Sequence, residues 1–303
     1  MNVATASIDA SAPPPLRAFW LAARPATLWA AVVPVLVGSA LARAHGSFRL
    51  GAAVAALVGA MLIQIGTNLF NDYADFGKGA DTGARLGPPR ATQQGWLRPQ
   101  TVLAAALACF GAAAIVGLYL VAVAGWPLVV LGLCSIAAGL AYTGGPWPLA
   151  YVGLGEPFVF VFFGLVAVAG TYFVQALAIN ESAFWGGSAV GFLVTAILVV
   201  NNLRDRATDA LAHKRTLAVR LGEGFTRWEY VALIGAAYAV PVLGVGLGAL
   251  PWGWLLPLIS LPFAAVTTRA VLREQGRALN PQLGATARLE LIYGALLALG
   301  MQL

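Results

Sequence analysis

The chain has 303 residues, of which 60% are hydrophobic and only 10% charged, with a formal net charge of +6 and a mean hydropathy of +0.81. An ordinary soluble domain carries about 25% charged residues, so this composition excludes one and indicates a polytopic membrane protein. The basic excess does not indicate nucleic-acid binding, because it collects in the loops between apolar runs.

In chain order, the first stretch, MNVATASIDASAPPP, is polar and ends in prolines. It has neither a basic leader nor an apolar core of signal-peptide type, and residues 1–15 are expected to form a disordered tail ahead of a single transmembrane domain, 16–303. Charge-free runs of about bilayer length follow. They cover residues 25–42 and 50–71, then 99–155, which turn signals at AGWP (124–127) and TGGPWP (143–148) cut into two helices and the start of a third. Residues 157–180 and 182–203 are next. Residues 230–268 divide at LPWGW (250–254), and 281–303 completes nine predicted helices, the last carrying Arg288 and Glu290 in its first turns. With nine crossings and a cytoplasmic N-terminus, all of the 18 Lys and Arg except Arg43 and Arg49 fall on the cytoplasmic side, as the positive-inside rule requires. The C-terminus is then outside. Most of the nine Trp lie near predicted helix ends, as interfacial anchors do. Cys109 and Cys134 fall inside helices and are expected to be buried structural thiols.

Two cytoplasmic loops hold most of the remaining ionisable groups. The first follows the second helix and reads NLFNDYADFGKGAD (68–81); the second follows the sixth and begins NNLRDRATD (201–209). Both contain N-x-x-x-D, at Asn68/Asp72 and Asn201/Asp205, 133 residues and four helices apart. Pairing Asp75 with Asp205 instead gives an offset of 130. Either register suggests two four-helix halves plus a last helix around a central cavity. If each helix runs on, Asn68, Asp72 and Asp75 share one face, as do Asn201, Asp205 and Asp209. Carboxylate and amide oxygens are hard ligands suited to Mg2+. Lys78, Arg90, Lys214 and Arg215 lie in the same loops, and a cavity holding both acids and bases fits a metal-bound diphosphate. Arg85, Arg98, Arg220 and Arg227 are ascribed to the positive-inside bias alone.

These motifs resemble those of the UbiA-type intramembrane aromatic prenyltransferases. The stretches GPPRATQQGWLRP (87–99), AYTGGPWPLAYVGLGEPFVFVFFGLVAVAGTYFVQ (141–175) and NNLRDRATDALAHKRTLAVRLG (201–222) are most similar to the naphthoate branch of that family, as is ARPATLWAAVVPVLVGSALA (23–42). The six-residue step from Asp75 to Asp81, against a common four, is also like that branch. The resemblance implies transfer of a polyprenyl group from its diphosphate to 1,4-dihydroxy-2-naphthoate, with loss of carbon dioxide and diphosphate, in menaquinone biosynthesis. It implies Mg2+ as cofactor and the bacterial inner membrane as location.

On this reading Asn71, Asp72 and Asp75 hold one magnesium with the diphosphate, and Asp205 and Asp209 a second. Asp81 assists the first motif or orients the acceptor. Lys78, Arg90, Lys214 and Arg215 are candidates for phosphate, or one of them for the naphthoate carboxylate. Asn68, Asn201, Tyr142 and Tyr151 are candidates for acceptor binding. Tyr73, Tyr142, Tyr151 and Tyr172 could stabilise an allylic cation through their ring faces, although ordinary packing explains each as well. His213 is expected to be a bystander. Transfer to 4-hydroxybenzoate or homogentisate, phytyl transfer, and a membrane transporter remain the alternatives at this point.

Overall fold

The computed structural model describes residues 13–80 and 85–303, whose regular elements are all helices, with no strand among them. The chain starts with α1 (Pro15–Ala22), whose Pro15 occupies the first helical turn where its missing N–H costs nothing. A 3-10 turn, Pro25–Thr27, leads into α2 (Trp29–Ala44). Then follow α3 (Leu50–Gly77), α4 (Pro99–Ala124) and α5 (Pro127–Thr143). Helix α6 (Gly155–Ala176) contains a π-helical segment, Phe160–Val166. Helix α7 (Glu181–Leu211) is capped by Asn180, whose side chain accepts from Ser182 N, and α8 (Leu217–Gly246) by Thr216, which accepts from Val219 N. Helix α9 (Trp252–Arg273) starts as a 3-10 helix, and α10 (Leu279–Gly300) ends the fold.

Seven of these, α3, α4 and α6 to α10, are long and apolar enough to cross a membrane, and an eighth crossing arises if α1 and α2, bent by 52° to one another, act as one span. Helix α5, with 17 residues, is apolar but shorter; at 1.5 Å per residue it reaches about 26 Å. Large apolar side chains such as Leu118, Ile115 and Leu133 are more than 60% exposed, which suits contact with lipid tails rather than water. The two cysteines are free; Cys109 is partly buried, whereas Cys134 lies exposed on α5. The expectation of a buried thiol therefore fails at Cys134, because α5 packs on one face only.

The main core joins α2, α6, α7, α8, α9 and α10. In lipid, apolar surface gives no drive for helix association, so close backbone packing must supply it. The pair Gly187/Gly191 on α7 does this: a Cβ on Gly164 of α6 would stand 2.6 Å from both Gly187 O and Gly191 Cα. Helices α3 and α7, which carry the two acidic motifs, pack on the helices that follow them, α4 and α8. Both run past the apolar stretch and carry their motifs in the last turns, so the expected continuation of each helix is present. Of the tail, residues 1–12 lie outside the described residues, as do 81–84, which include Asp81.

Candidate active site

A cavity of about 490 Å³ runs between α2, α3, α4, α5, α6 and α7. One end is apolar. It is lined by Val121, Leu128, Phe162 and Val166 and reaches the outward-facing Leu118 and Leu133. The other end is polar, and residues from the last turns of α3 and α7 line it together.

Helix α3 brings Asn68, Asn71 and Asp75 to the lining, at i, i+3 and i+7. Asn68 Nδ2 donates to Ala23 O at 2.9 Å and Thr27 Oγ1 at 3.1 Å, which leaves its oxygen side to the cavity. Asn71 Oδ1 accepts from Thr143 Oγ1 at 2.7 Å. Asp75 is buried; Arg90 Nη2 reaches its Oδ2 at 2.8 Å and Tyr151 OH donates to its Oδ1 at 2.9 Å. Asp72, placed on the same face by its spacing, instead turns to the loop after α3. Its carboxylate accepts from Ala91 N at 3.0 Å, Thr92 N at 3.4 Å and the Thr92 hydroxyl. It stands outside the lining. A rotation of 100° per residue puts Asp72 beside, rather than beneath, the Asn68–Asp75 stripe.

Helix α7 supplies Asn201, Asn202 and Asp205. Arg204, almost fully buried, donates to both Asp205 oxygens at 2.8 and 2.6 Å, to Asn201 Oδ1 at 2.8 Å and to Asn280 Oδ1 at 3.0 Å. Asn280 in turn donates to Leu86 O. One guanidinium thus ties the second motif to α10 and to the loop after the first motif. Asp209 lies one turn further on, outside the lining, with Lys214 Nζ 3.6 Å from its Oδ1.

The bases fall into two groups. Arg90 and Lys214 line the cavity together with Arg24 and Arg85. Lys78 Nζ donates to Thr143 O and stands 4.7 Å from the Tyr151 ring centroid; Lys214 Nζ is 5.8 Å from the same ring. Loss of water around the Lys78 ammonium lowers its pKa, an effect that Asp75 opposes. Arg215 is exposed, with its backbone N–H donated to Tyr151 O. Arg24 reaches the lining from a left-handed backbone, φ 53°, between α1 and Pro25, a conformation that a non-glycine residue holds only when its surroundings fix it.

Among the aromatic candidates, Tyr142 lines the cavity. Tyr151 acts on Asp75 from beside it. Tyr73 packs with Phe70 in the small core around α1 and α4, and Tyr172 bonds His45 Nδ1 at 2.9 Å, so both are packing residues. His213 is exposed, at φ 55°. Sequence reading passed over Arg24, Arg85, Asn202, Arg204 and Glu156. For Glu156 a signal existed: it is the first acid after a long charge-free run, and an ionisable group at membrane depth is functional by default.

No three His, Cys, Asp or Glu among the described residues approach closely enough to cage a metal. The oxygen donors nonetheless suit a hard divalent ion. Asn71, Asp75 and Asp205 face one space, and Mg2+ commonly takes only one or two carboxylates, completing its shell with water and phosphate. The chemistry of the donor set fits that ion.

Fold and cavity together define a helical membrane protein whose long apolar cavity ends in paired acids, amides and bases. The chain belongs to the UbiA prenyltransferase family, whose model matches residues 31–285. It is 38% identical to the 1,4-dihydroxy-2-naphthoate octaprenyltransferase of Escherichia coli (strain K12), over 93% of this chain and 94% of that one. It is 35% identical to the protein of the same name from Bacillus subtilis (strain 168), over 93% and 91%. Its fold matches the structure of a UbiA homolog from Archaeoglobus fulgidus bound to DMAPP and Mg2+, with TM-score 0.67, 15% identity, and 92% and 98% of the two chains covered.

Proposed function

We propose that this enzyme transfers a polyprenyl group from polyprenyl diphosphate to 1,4-dihydroxy-2-naphthoate, releasing diphosphate and carbon dioxide and giving the demethylmenaquinol of menaquinone biosynthesis. The observation that carries the reading is that Asp75 and Asp205, from helices in the two halves of the chain, both line the polar end of one apolar cavity. An anionic headgroup with a long greasy tail matches that division. The named relatives supply the acceptor class.

Asn71, Asp75 and Asp205 would hold Mg2+, with Asp81, Asp72 and Asp209 supporting them. The ion would neutralise the departing diphosphate, whose charge is otherwise the main obstacle to ionisation. Arg90, Lys214, Arg24 and Arg85 bind the phosphate oxygens; Arg90 is already at the Asp75 carboxylate, and the diphosphate gives it a second anionic partner. Lys78 steadies this end through Thr143 and Tyr151. Phe162, Val166 and Leu128 enclose the tail and keep water from the allylic cation, which would otherwise be hydrolysed. Tyr142 offers its ring at the junction of the two ends.

The chain crosses the membrane nine times in this account, with α1 and α2 as one span and α5 as a short one, and forms one domain. The motif loops and N-terminus face the cytoplasm of the bacterial inner membrane, because there the positive charge lies. Single cysteines at Ala212 and Gln275, in a variant lacking Cys109 and Cys134, should stay unlabelled by an impermeant thiol reagent in intact cells; labelling of either would overturn the orientation. The activity itself is tested with membranes containing the chain, Mg2+, labelled isoprenoid diphosphates of several lengths and a panel of aromatic acids, with products identified by mass. Prenylation of 4-hydroxybenzoate as readily as of dihydroxynaphthoate would remove the acceptor assignment.

A further inference from the structure

Glu156 opens α6 and is buried, 5% exposed. Its Oε1 accepts from Asn202 Nδ2 at 2.8 Å, while its Oε2 has no hydrogen-bond partner among the described residues. Asn202 lines the cavity; Glu156 does not. The neighbouring Gly155 lies against Tyr142, another lining residue: a Cβ there would stand 3.3 Å from the Tyr142 hydroxyl. A buried carboxyl with one oxygen unmatched is costly to keep, and an apolar residue could fill this place at the start of a membrane helix. None of the diphosphate chemistry uses it.

We propose that Glu156 is a positioning residue for the acceptor: it fixes the Asn202 amide so that Oδ1, a hydrogen-bond acceptor, faces the cavity beside Tyr142 and receives a ring hydroxyl of the aromatic substrate. The inference rests on the proposed reaction and adds to it the residues that read the acceptor. An amide free to rotate can offer N–H or oxygen with equal ease. With Nδ2 committed to a carboxylate, only one orientation remains, and the site then selects a hydroxyl-bearing ring over one whose hydroxyls are blocked. Sites built to bond a substrate hydroxyl discriminate strongly against analogues that lack it. Among the described residues, Glu156 and Asn202 bond each other and make no hydrogen bond to the Asp75–Arg90 or Asp205–Arg204 pairs, so loss of Glu156 should spare the donor.

The test compares wild-type membranes with E156L, E156Q, N202D and the double variant E156Q/N202D, measuring KM for dihydroxynaphthoate and for the prenyl diphosphate separately. E156L should raise the acceptor KM by about tenfold, the effect of one well-placed hydrogen bond, and leave the donor KM unchanged. E156Q, whose amide can present either oxygen or N–H to Asn202, no longer fixes that orientation and should raise the acceptor KM by less than E156L, again with the donor KM unchanged. N202D sets two carboxyls against each other and should raise the acceptor KM; adding E156Q, whose Nε2 can donate to the new aspartate, should recover most of that loss. Should E156L fail to insert, the comparison of N202D with the double variant decides. An unchanged acceptor KM in E156L, an equal rise in both KM values, or no recovery in the double variant overturns the inference. Wild-type membranes that prenylate no dihydroxynaphthoate with any donor would remove the underlying reaction and this inference with it; an active wild type with unaffected variants removes this inference alone.

Discussion

Arg90 Nη2 lies 2.8 Å from Asp75 Oδ2, and the two side chains are only 7% and 6% exposed. Removing one partner from such a pair strands the other charge in a poorly solvated place. The pair therefore ties the charge of the first motif to the loop that follows it; Asp205 is paired as closely with Arg204, its neighbour on α7.

Asp75→Asn and Asp205→Asn each keep the side-chain size and remove a charge and a strong metal oxygen. Each should lower turnover by about a hundredfold or more, the usual loss when a stabiliser of transition-state charge is removed. The variants should still insert. Excess EDTA should abolish wild-type activity and added Mg2+ restore it. Arg98→Gln, an exposed change just before α4, should leave the rate unaltered. Normal turnover in the aspartate variants, or activity in excess chelator, would rule out the proposed diphosphate site.

Asp72 makes a separate prediction, because its oxygens hold Ala91 and Thr92. If it acts by holding the loop that carries Arg90, Thr92→Ala should reproduce much of the loss seen in Asp72→Asn, and neither should change the Mg2+ concentration needed for half-maximal rate. A raised Mg2+ requirement confined to Asp72→Asn would show it to be a metal ligand instead.

Although the Lys78 side chain is exposed overall, partial loss of water around its ammonium lowers its pKa, an effect that Asp75 only partly offsets. As pH rises, Lys78 therefore loses its charge before an unperturbed lysine would, and donor binding should weaken on the alkaline side. Lys78→Arg, which stays charged throughout, should move that limb to higher pH. Donor KM measured against pH for both proteins checks this; superimposable profiles would exclude Lys78 from the headgroup site.

The contact of α6 with α7 depends on the absence of side chains. Gly191→Leu would drive its side chain into Phe160 and Gly164, where a Cβ alone already lies at 3.0–3.1 Å. Overpacking of this kind costs about 1–3 kcal/mol, more where backbone must move. Thermal unfolding in detergent should show a lower Tm for Gly191→Leu, with Gly111→Leu on α4, which meets nothing within 4 Å, as the neutral comparison.

Much of this was legible in the sequence because lipid imposes simple rules. Run lengths outlined the long apolar helices, and the repeated N-x-x-x-D marked the polar ends of α3 and α7. What the spacing left open was rotation about the helix axis. It could not say that Asn71 rather than Asp72 faces the cavity, since that depends on Thr92 and Ala91 drawing Asp72 aside. Nor could loop charge distinguish Arg85, which lines the cavity, from Arg227, which bonds Glu223 and the carbonyls of Val271 and Glu274. Arg204 was hidden for a similar reason: its partners come from α7, α10 and, through Asn280, the loop at Leu86, and only the folded chain brings them together.

The most direct measurement follows the carboxylate carbon. Dihydroxynaphthoate labelled with 14C in its 2-carboxylate is incubated with membranes, Mg2+ and a polyprenyl diphosphate carrying a different label, and both labels are tracked. The account predicts one labelled carbon dioxide released for each prenyl group transferred, with release abolished by omitting the diphosphate or by Asp75→Asn. Prenylated product that retains the carboxylate label would contradict it.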